Sequence, residues 1–169
     1  MANGLNLYFK PGGDIPLLAR LFAGFREDLA KSCDKALAKI AKLYEVEIKK
    51  GIRSQSPAGK AFEELAEETI YRKGSTKALI DFGDMIGSIT TRKAKPGVYF
   101  VGLLRTARNR SGVALANIGP VHEYGTKNGR IPARPFIVPI LQSRAIRRRM
   151  NTLLQQFVRN SMRQKGWKV

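Results

Sequence analysis

The chain reads as an α+β protein, in which a long N-terminal helix and a C-terminal helix pack on a small antiparallel β-sheet with a hairpin arm. Two helical apolar rows and one proline-glycine turn predict it. Leu18, Phe22, Phe25, Leu29, Cys33, Leu37, Ile40, Tyr44 and Ile48 follow one another at intervals of three or four, the period of one helix face. Leu141, Ala145, Ile146, Met150, Leu153, Leu154, Phe157, Val158 and Met162 make a second apolar stripe near the other end. Between them, Lys95-Pro96-Gly97 parts two short segments, and Pro-Gly is a strong turn signal. At 169 residues and 43% hydrophobic content, the chain is long enough for one sizeable core and short for two. The expected organisation is one domain over 1–169, with an arm at 1–14 and a tail at 165–169.

The elements follow in order. Leu5 to Phe9 alternate briefly and read as a short strand or ordered arm; Asp14 and Pro16 suit the start of a helix. That helix runs from about Pro16 to Lys50, roughly 50 Å at 1.5 Å per residue. It is longer than a domain of this size needs, so part of it is expected to pack on a neighbouring subunit or bend over a sheet. Cys33 falls in its apolar row and reads as core. Gly51 ends it, and residues 60–72 read as a second, acidic amphipathic helix closed by Gly74. Residues 78–89 turn at Gly83 and again at Gly87. Ile89–Lys95 and Gly97–Leu104 then pair as a hairpin. Residues 105–111 are a basic loop, and Val113–Ile118 a strand or helix turn.

Residues 118–141 carry the densest backbone signals. Gly125 stands where a positive φ would end a helix or open a turn. Lys127-Asn128-Gly129-Arg130 is a tight turn of hairpin type. Pro132 and Pro135 hold the residues before them extended, and Pro139 suits the first turn of a final helix reaching about Gln164.

The charge is +18, and it is uneven. Residues 1–84 hold 14 Lys/Arg and 12 Asp/Glu, net +2; residues 85–169 hold 17 and one, Glu123, net +16. Such a field attracts nucleic acid, an acidic protein surface or anionic lipid. Arg144, Arg147, Arg148, Arg149, Arg159 and Arg163 lie on the final helix, where 147–149 alone cover about 200° of its circumference. They cannot all face one ligand. Without aromatic interleaving or a recognition helix, sequence-specific nucleic-acid reading is not expected.

Little in the chain points to chemistry. His122 is the only histidine and Cys33 the only cysteine, so neither a disulfide nor a Cys/His metal site can be built within the chain. No Gly-x-Ser-x-Gly or phosphate loop occurs. Glu63, Glu64, Glu67 and Glu68 read as a solvated helix face, since no His or Asp completes a site. No enzyme, cofactor or metal is expected. Glu123, the one acid of the basic half, is expected to pair with an arginine such as Arg134. No apolar run reaches membrane-spanning length and no signal-peptide pattern opens the chain, so a soluble, cytoplasmically made protein is expected.

His122-Glu123-Tyr124-Gly125-Thr126, a short basic turn, and then Pro132-Ala133-Arg134-Pro135-Phe136 ahead of Pro139 resemble the tail-completion (neck) proteins of tailed bacteriophages, the tail-component or virion-morphogenesis type. That family carries Glu-aromatic-Gly-Thr, then Ala-(Arg/Gln)-Pro-Phe-apolar-x-Pro-small-Leu. This sequence departs at Ile140, where a small residue is usual. Leu79 to Ile89 resembles the family's glycine-containing segment ending in Ser-Ile. The resemblance implies a structural virion protein of the head–tail junction, made in the bacterial host cytoplasm. Such a protein forms a ring (a hexamer, from tail architecture) that completes the tail or neck and lines the channel for genomic double-stranded DNA. Its partners would be itself and the head-closure, tail-terminator and tail-tube proteins, with no membrane. A tail terminator or head-closure ring fits the same residues. A non-specific nucleic-acid-binding protein outside the virion is the alternative from another class.

Overall fold

The computed structural model describes residues 15–164, with side chains described from Arg26 onward. The expected strand at 5–9, the Asp14 cap, the tail at 165–169 and the packing of Leu18, Phe22 and Phe25 lie outside the described residues. The architecture is α+β. Helix α1 (Ile15–Arg53) is 39 residues long, about 58 Å at the standard rise. Against it lie a two-stranded antiparallel sheet, β1 (Ile89–Lys95) and β2 (Val98–Leu103), and a C-terminal helix, α6 (Arg144–Gln164). Short helices fill the remainder: α2 (Glu67–Lys73), α3 (Asp84–Ser88), α4 (Leu115–Tyr124) and α5 (Val138–Gln142).

Among the described residues the buried positions of α1 are Ala36, Ala41, Glu45, Ile48, Gly51 and Ile52. Of these, only Ile48 belongs to the expected apolar row; Leu29, Cys33, Leu37, Ile40 and Tyr44 are half-buried. The helix is wedged between two neighbours, which widens its covered face. On one side α6 runs antiparallel to it, with Ser32 Oγ donating to Ser161 Oγ at 2.9 Å and Arg149 reaching Glu47 at 3.2 Å. On the other, Asp34 ties down the hairpin, accepting from Lys93 Nζ at 2.5 Å, the Gly97 amide at 2.8 Å and the Tyr99 hydroxyl at 3.3 Å. The lysine bond, then the amide, hold the Asp34 carboxyl below its ordinary pKa.

Glu45 is a buried acid that sequence reasoning passed over. Burial raises its pKa, but Lys42 and Lys49, each at 2.8 Å, and the Thr91 hydroxyl lower it further, to about 2. The signal was an acid standing in register with Ala41, Ile48 and Ile52. The core itself joins Ile48 and Ile52 of α1 to Met85, Ile89, Leu115, Phe136 and Ile140.

Four expectations are corrected. The acidic helix expected over 60–72 forms only as α2, Glu67–Lys73. Upstream, the Phe62 amide bonds the Gln55 carbonyl, and the carbonyls of Glu63 and Glu64 are taken by Arg134, so that stretch stays irregular. Gly87 lies inside α3 rather than at a turn, while Gly83 does turn, at φ 87°. The 127–130 turn is present, with Gly129 at φ 70°, but no strands flank it; it closes on Thr126, whose hydroxyl accepts the Ile131 amide. The final helix is broken at Ser143 (φ −61°, ψ 118°). There the Ser143 side chain accepts the Ile146 amide, acting as an N-cap that restarts the chain as α6.

Candidate functional site

The residues 122–139 fold into one interlocked unit. Helix α4 ends at Gly125, whose φ of 75° and ψ of −178° suit glycine alone among the common residues. A Cβ there would stand 3.0 Å from both the Ala133 nitrogen and the Ile131 oxygen. The chain can therefore fold back directly over α4's end. On its return, the Arg134 amide donates to the His122 carbonyl at 2.7 Å.

Glu123 then points from α4 into the start of α5. Its carboxylate, only 6% exposed, accepts the amides of Phe136 at 2.9 Å, Ile137 at 3.0 Å and Val138 at 2.8 Å. Those are donors that a helix beginning cannot satisfy internally, and a carboxylate is the favoured acceptor there. Pro139 sits in that first turn, where its missing N–H loses nothing.

The expected Glu123–Arg134 ion pair does not form. Arg134, 5% exposed, turns the other way and donates through Nε to the Glu63 carbonyl at 2.7 Å and through Nη2 to the Glu64 carbonyl at 2.5 Å. Amide capping offers Glu123 three donors at once. The arginine in turn pins the acidic segment to the motif.

His122 is half-buried, and its Nδ1 has no hydrogen-bond partner. Burial first, then the Arg134 and Lys73 cations, push its pKa below the ordinary histidine range, so the ring is neutral at pH 7. The described residues contain no group of three potential metal ligands.

Beside this unit lies an apolar groove of about 310 Å³ between β2, α4 and α5. Its walls include Phe100, Gly119, Pro120, Tyr124, Phe136 and Leu141. Gly119 lets α4 approach β2 closely along it, since a Cβ there would fall 2.5 Å from Leu103 Cδ1. Tyr99, Val101 and Leu103 are half-buried on one side of the strand, whereas Val98 and Phe100 on the other are exposed. Phe100 is 42% and Tyr124 74% exposed. Phe100 pairs across the sheet with Arg92, which shares its face and is exposed. At the other end, Arg147 Nη2 lies 3.5 Å from the Leu141 carbonyl. A larger and more open depression of about 570 Å³ between α1 and α6, lined in part by Lys39, Lys42 and Arg149, contains none of the motif residues.

All six arginines expected to act on α6 are exposed, but they do not act as one run. Arg147 leans on Leu141 and Arg149 pairs with Glu47. The guanidinium groups of Arg144, Arg148 and Arg159 have no polar partner among the described residues, and at 100° per residue they fall within about 60° of one another. They form a basic stripe opposite the buried side of α6, which carries Met150. Arg163 is exposed near the helix end. The expected run of 147–149 is therefore divided, and the free stripe is 144, 148 and 159.

Comparison with family models, with curated proteins and with solved structures gave no match.

Proposed function

We propose that this chain is a structural protein of the bacteriophage head–tail junction, acting as one subunit of a ring that completes the tail or neck. The observation that carries this reading is the mutual locking of the residues behind the family resemblance. Glu123 caps the turn that Phe136 and Pro139 open, Gly125 lets Ala133 approach, and Arg134 bonds the His122 carbonyl through its own amide. Two short sequence matches separated by a basic turn are thus two halves of one structural unit. Chance similarity would not require the matched positions to touch.

In this reading the work is done by interfaces. The groove beside Phe100 supplies an uncovered apolar face for assembly. The stripe of Arg144, Arg148 and Arg159 faces DNA in the lumen or an acidic ring above or below, contacting phosphates without reading sequence. The deciding experiment is electron microscopy of particles made by the phage lacking this protein. Filled heads beside separate, otherwise complete tails are expected; normal joined virions would discard the reading.

The same arginine stripe favours one other reading, a non-specific nucleic-acid binder working outside a virion. It requires the isolated monomer to bind duplex DNA with a salt dependence of order three phosphates, a log–log slope of about −2.7. The neck reading requires weak binding by the monomer.

A further inference from the structure

We infer that the groove beside Phe100 receives Tyr71 from a second copy of this chain, with Glu67 and Glu68 of that copy meeting Arg92 and Arg147 at the groove's ends. The inference rests on the ring reading and names the contact that closes the ring.

Tyr71 is 92% exposed. It stands on α2, a helix with no buried residue at all. Glu67 and Glu68 precede it by four and three positions, so all three share one helix face. The result is an aromatic knob with two carboxylates beside it. Exposed single apolar residues are ordinary; an aromatic displayed this fully, on a helix whose Thr69 and Ile70 are only half-buried, is an uncovered knob among the described residues.

The charges point the same way. The protein carries +18, yet Glu63, Glu64, Glu67 and Glu68 have no cation partner among the described residues. Arg92 has no polar partner there either. In a strongly basic chain, four carboxylates without an ion pair in one segment, and in another a free Arg92 beside an Arg147 that holds only the Leu141 carbonyl, are complementary surfaces left without ion pairs among the described residues. The arginines flank the apolar groove and the acids flank the tyrosine, so one docking satisfies both.

Two further features prepare the contact. Arg134 holds the Glu63 and Glu64 carbonyls, and Gly74 at φ 66° terminates α2 behind the knob. The segment is thus fixed before docking, which lowers the entropy lost on association. Within the groove, Ala116 and Pro120 both contribute to the wall. Pro120 has no N–H to give the Ala116 carbonyl, which leaves an acceptor that a tyrosine hydroxyl can use.

Knob and groove are different surfaces of the subunit. A contact between unlike surfaces is head-to-tail, and repeating it yields a closed ring or a helical filament rather than a two-fold dimer.

The test uses the full-length purified chain. Oligomer mass is measured across a concentration series for wild type, Tyr71→Ala, Glu67→Arg/Glu68→Arg, Arg92→Glu/Arg147→Glu, and the combination of both charge reversals. Each of the first three variants should raise the concentration for half-assembly at least tenfold, with unchanged circular dichroism, and the combination should recover most of it. In a Cys33→Ser background, Tyr71→Cys with Phe100→Cys should give a ladder of disulfide-linked oligomers under mild oxidation, a trap that also registers weak assembly. If rings form and the variants assemble like wild type, the contact lies elsewhere: this inference fails and the ring reading survives. A protein that stays monomeric with no ladder overturns the inference and removes self-assembly from the ring reading. A closed dimer without a ladder overturns it in favour of a two-fold contact.

Discussion

Replacing Glu123 by glutamine preserves the side chain's shape and removes one acceptor oxygen and the charge. The wild-type carboxylate holds three amides at 2.8–3.0 Å, two on Oε2 and one on Oε1. A glutamine has one carbonyl oxygen, so at best it keeps the Phe136 and Ile137 amides and turns its NH₂ toward Val138. Leaving one buried amide without an acceptor costs about 1–3 kcal/mol, and weakening two charge-assisted bonds to neutral ones about 1 kcal/mol each. Local relaxation recovers part of the sum, which brings the expected loss to about 3 kcal/mol. For a chain of this length each kcal/mol moves the melting temperature by about 2–4 °C, so a fall of about 6–12 °C is expected. Thermal unfolding followed by circular dichroism reads it. Denaturant unfolding should show a lower midpoint with the same slope, because the surface exposed on unfolding is unchanged. Glu123→Asp, a methylene short of the turn, should be no better than glutamine. A melting temperature within about 2 °C of wild type for Glu123→Gln would refute the capping argument.

Gly125→Ala should destabilise by about 2–3 kcal/mol, from an unfavourable backbone region and a Cβ crowding Ala133 and Ile131; its unfolding midpoint checks this. The pH dependence follows from Glu45, whose pKa falls from 4.5 to about 2 on folding. A carboxyl with a depressed folded pKa contributes stability that is complete above pH 4.5 and lost as pH falls toward 2. Melting temperatures should therefore drop across that window, and Glu45→Gln should flatten the drop; equal acid sensitivity in the two proteins would contradict it. Converting Arg144, Arg148 and Arg159 to glutamine should reduce the salt slope of duplex-DNA binding by about 2.7 units if the stripe contacts phosphates. Converting Arg147 and Arg149 should change it less, since both already have partners; filter binding at graded salt separates the two.

Much of the fold was legible because its signals are local. The α1 and α6 stripes, the Pro96-Gly97 turn and the hairpin strands all rest on periodicity or turn chemistry within a few residues. Gly125 was legible for the same reason. What stayed hidden depends on partners distant in sequence. Residues 60–66 have helical composition, but Arg134 takes the carbonyls of Glu63 and Glu64 from 70 positions away. Ser143 interrupts a continuous apolar stripe with a single cap. The Glu123–Arg134 pairing failed for a physical reason too: opposite charge is visible in a sequence, whereas three adjacent orphan amides at a helix start are not, and the amides win. Glu45 shows the same limit, because two lysines at i−3 and i+4 look like surface pairs until the helix face they lie on is known.

The division of labour among the acids argues most directly for assembly. The one acid of the basic half is spent on main-chain amides and neutralises no arginine. Arg134 of the basic half bonds the carbonyls of Glu63 and Glu64 in the balanced half and makes no ion pair with their carboxylates. Instead the fold fixes the acidic segment by its backbone and leaves its carboxylates free. Exposed ion pairs contribute little to a monomer's stability, so little is lost by this choice. Between subunits the same charges set register and reject wrong pairings. A chain that must find its own neighbours in a fixed orientation gains from holding its charges in reserve: the acidic segment is held by Arg134 through the Glu63 and Glu64 carbonyls, while Arg92 stands on β1 and Arg147 on α6, just past the corner secured by Glu123 and Ser143.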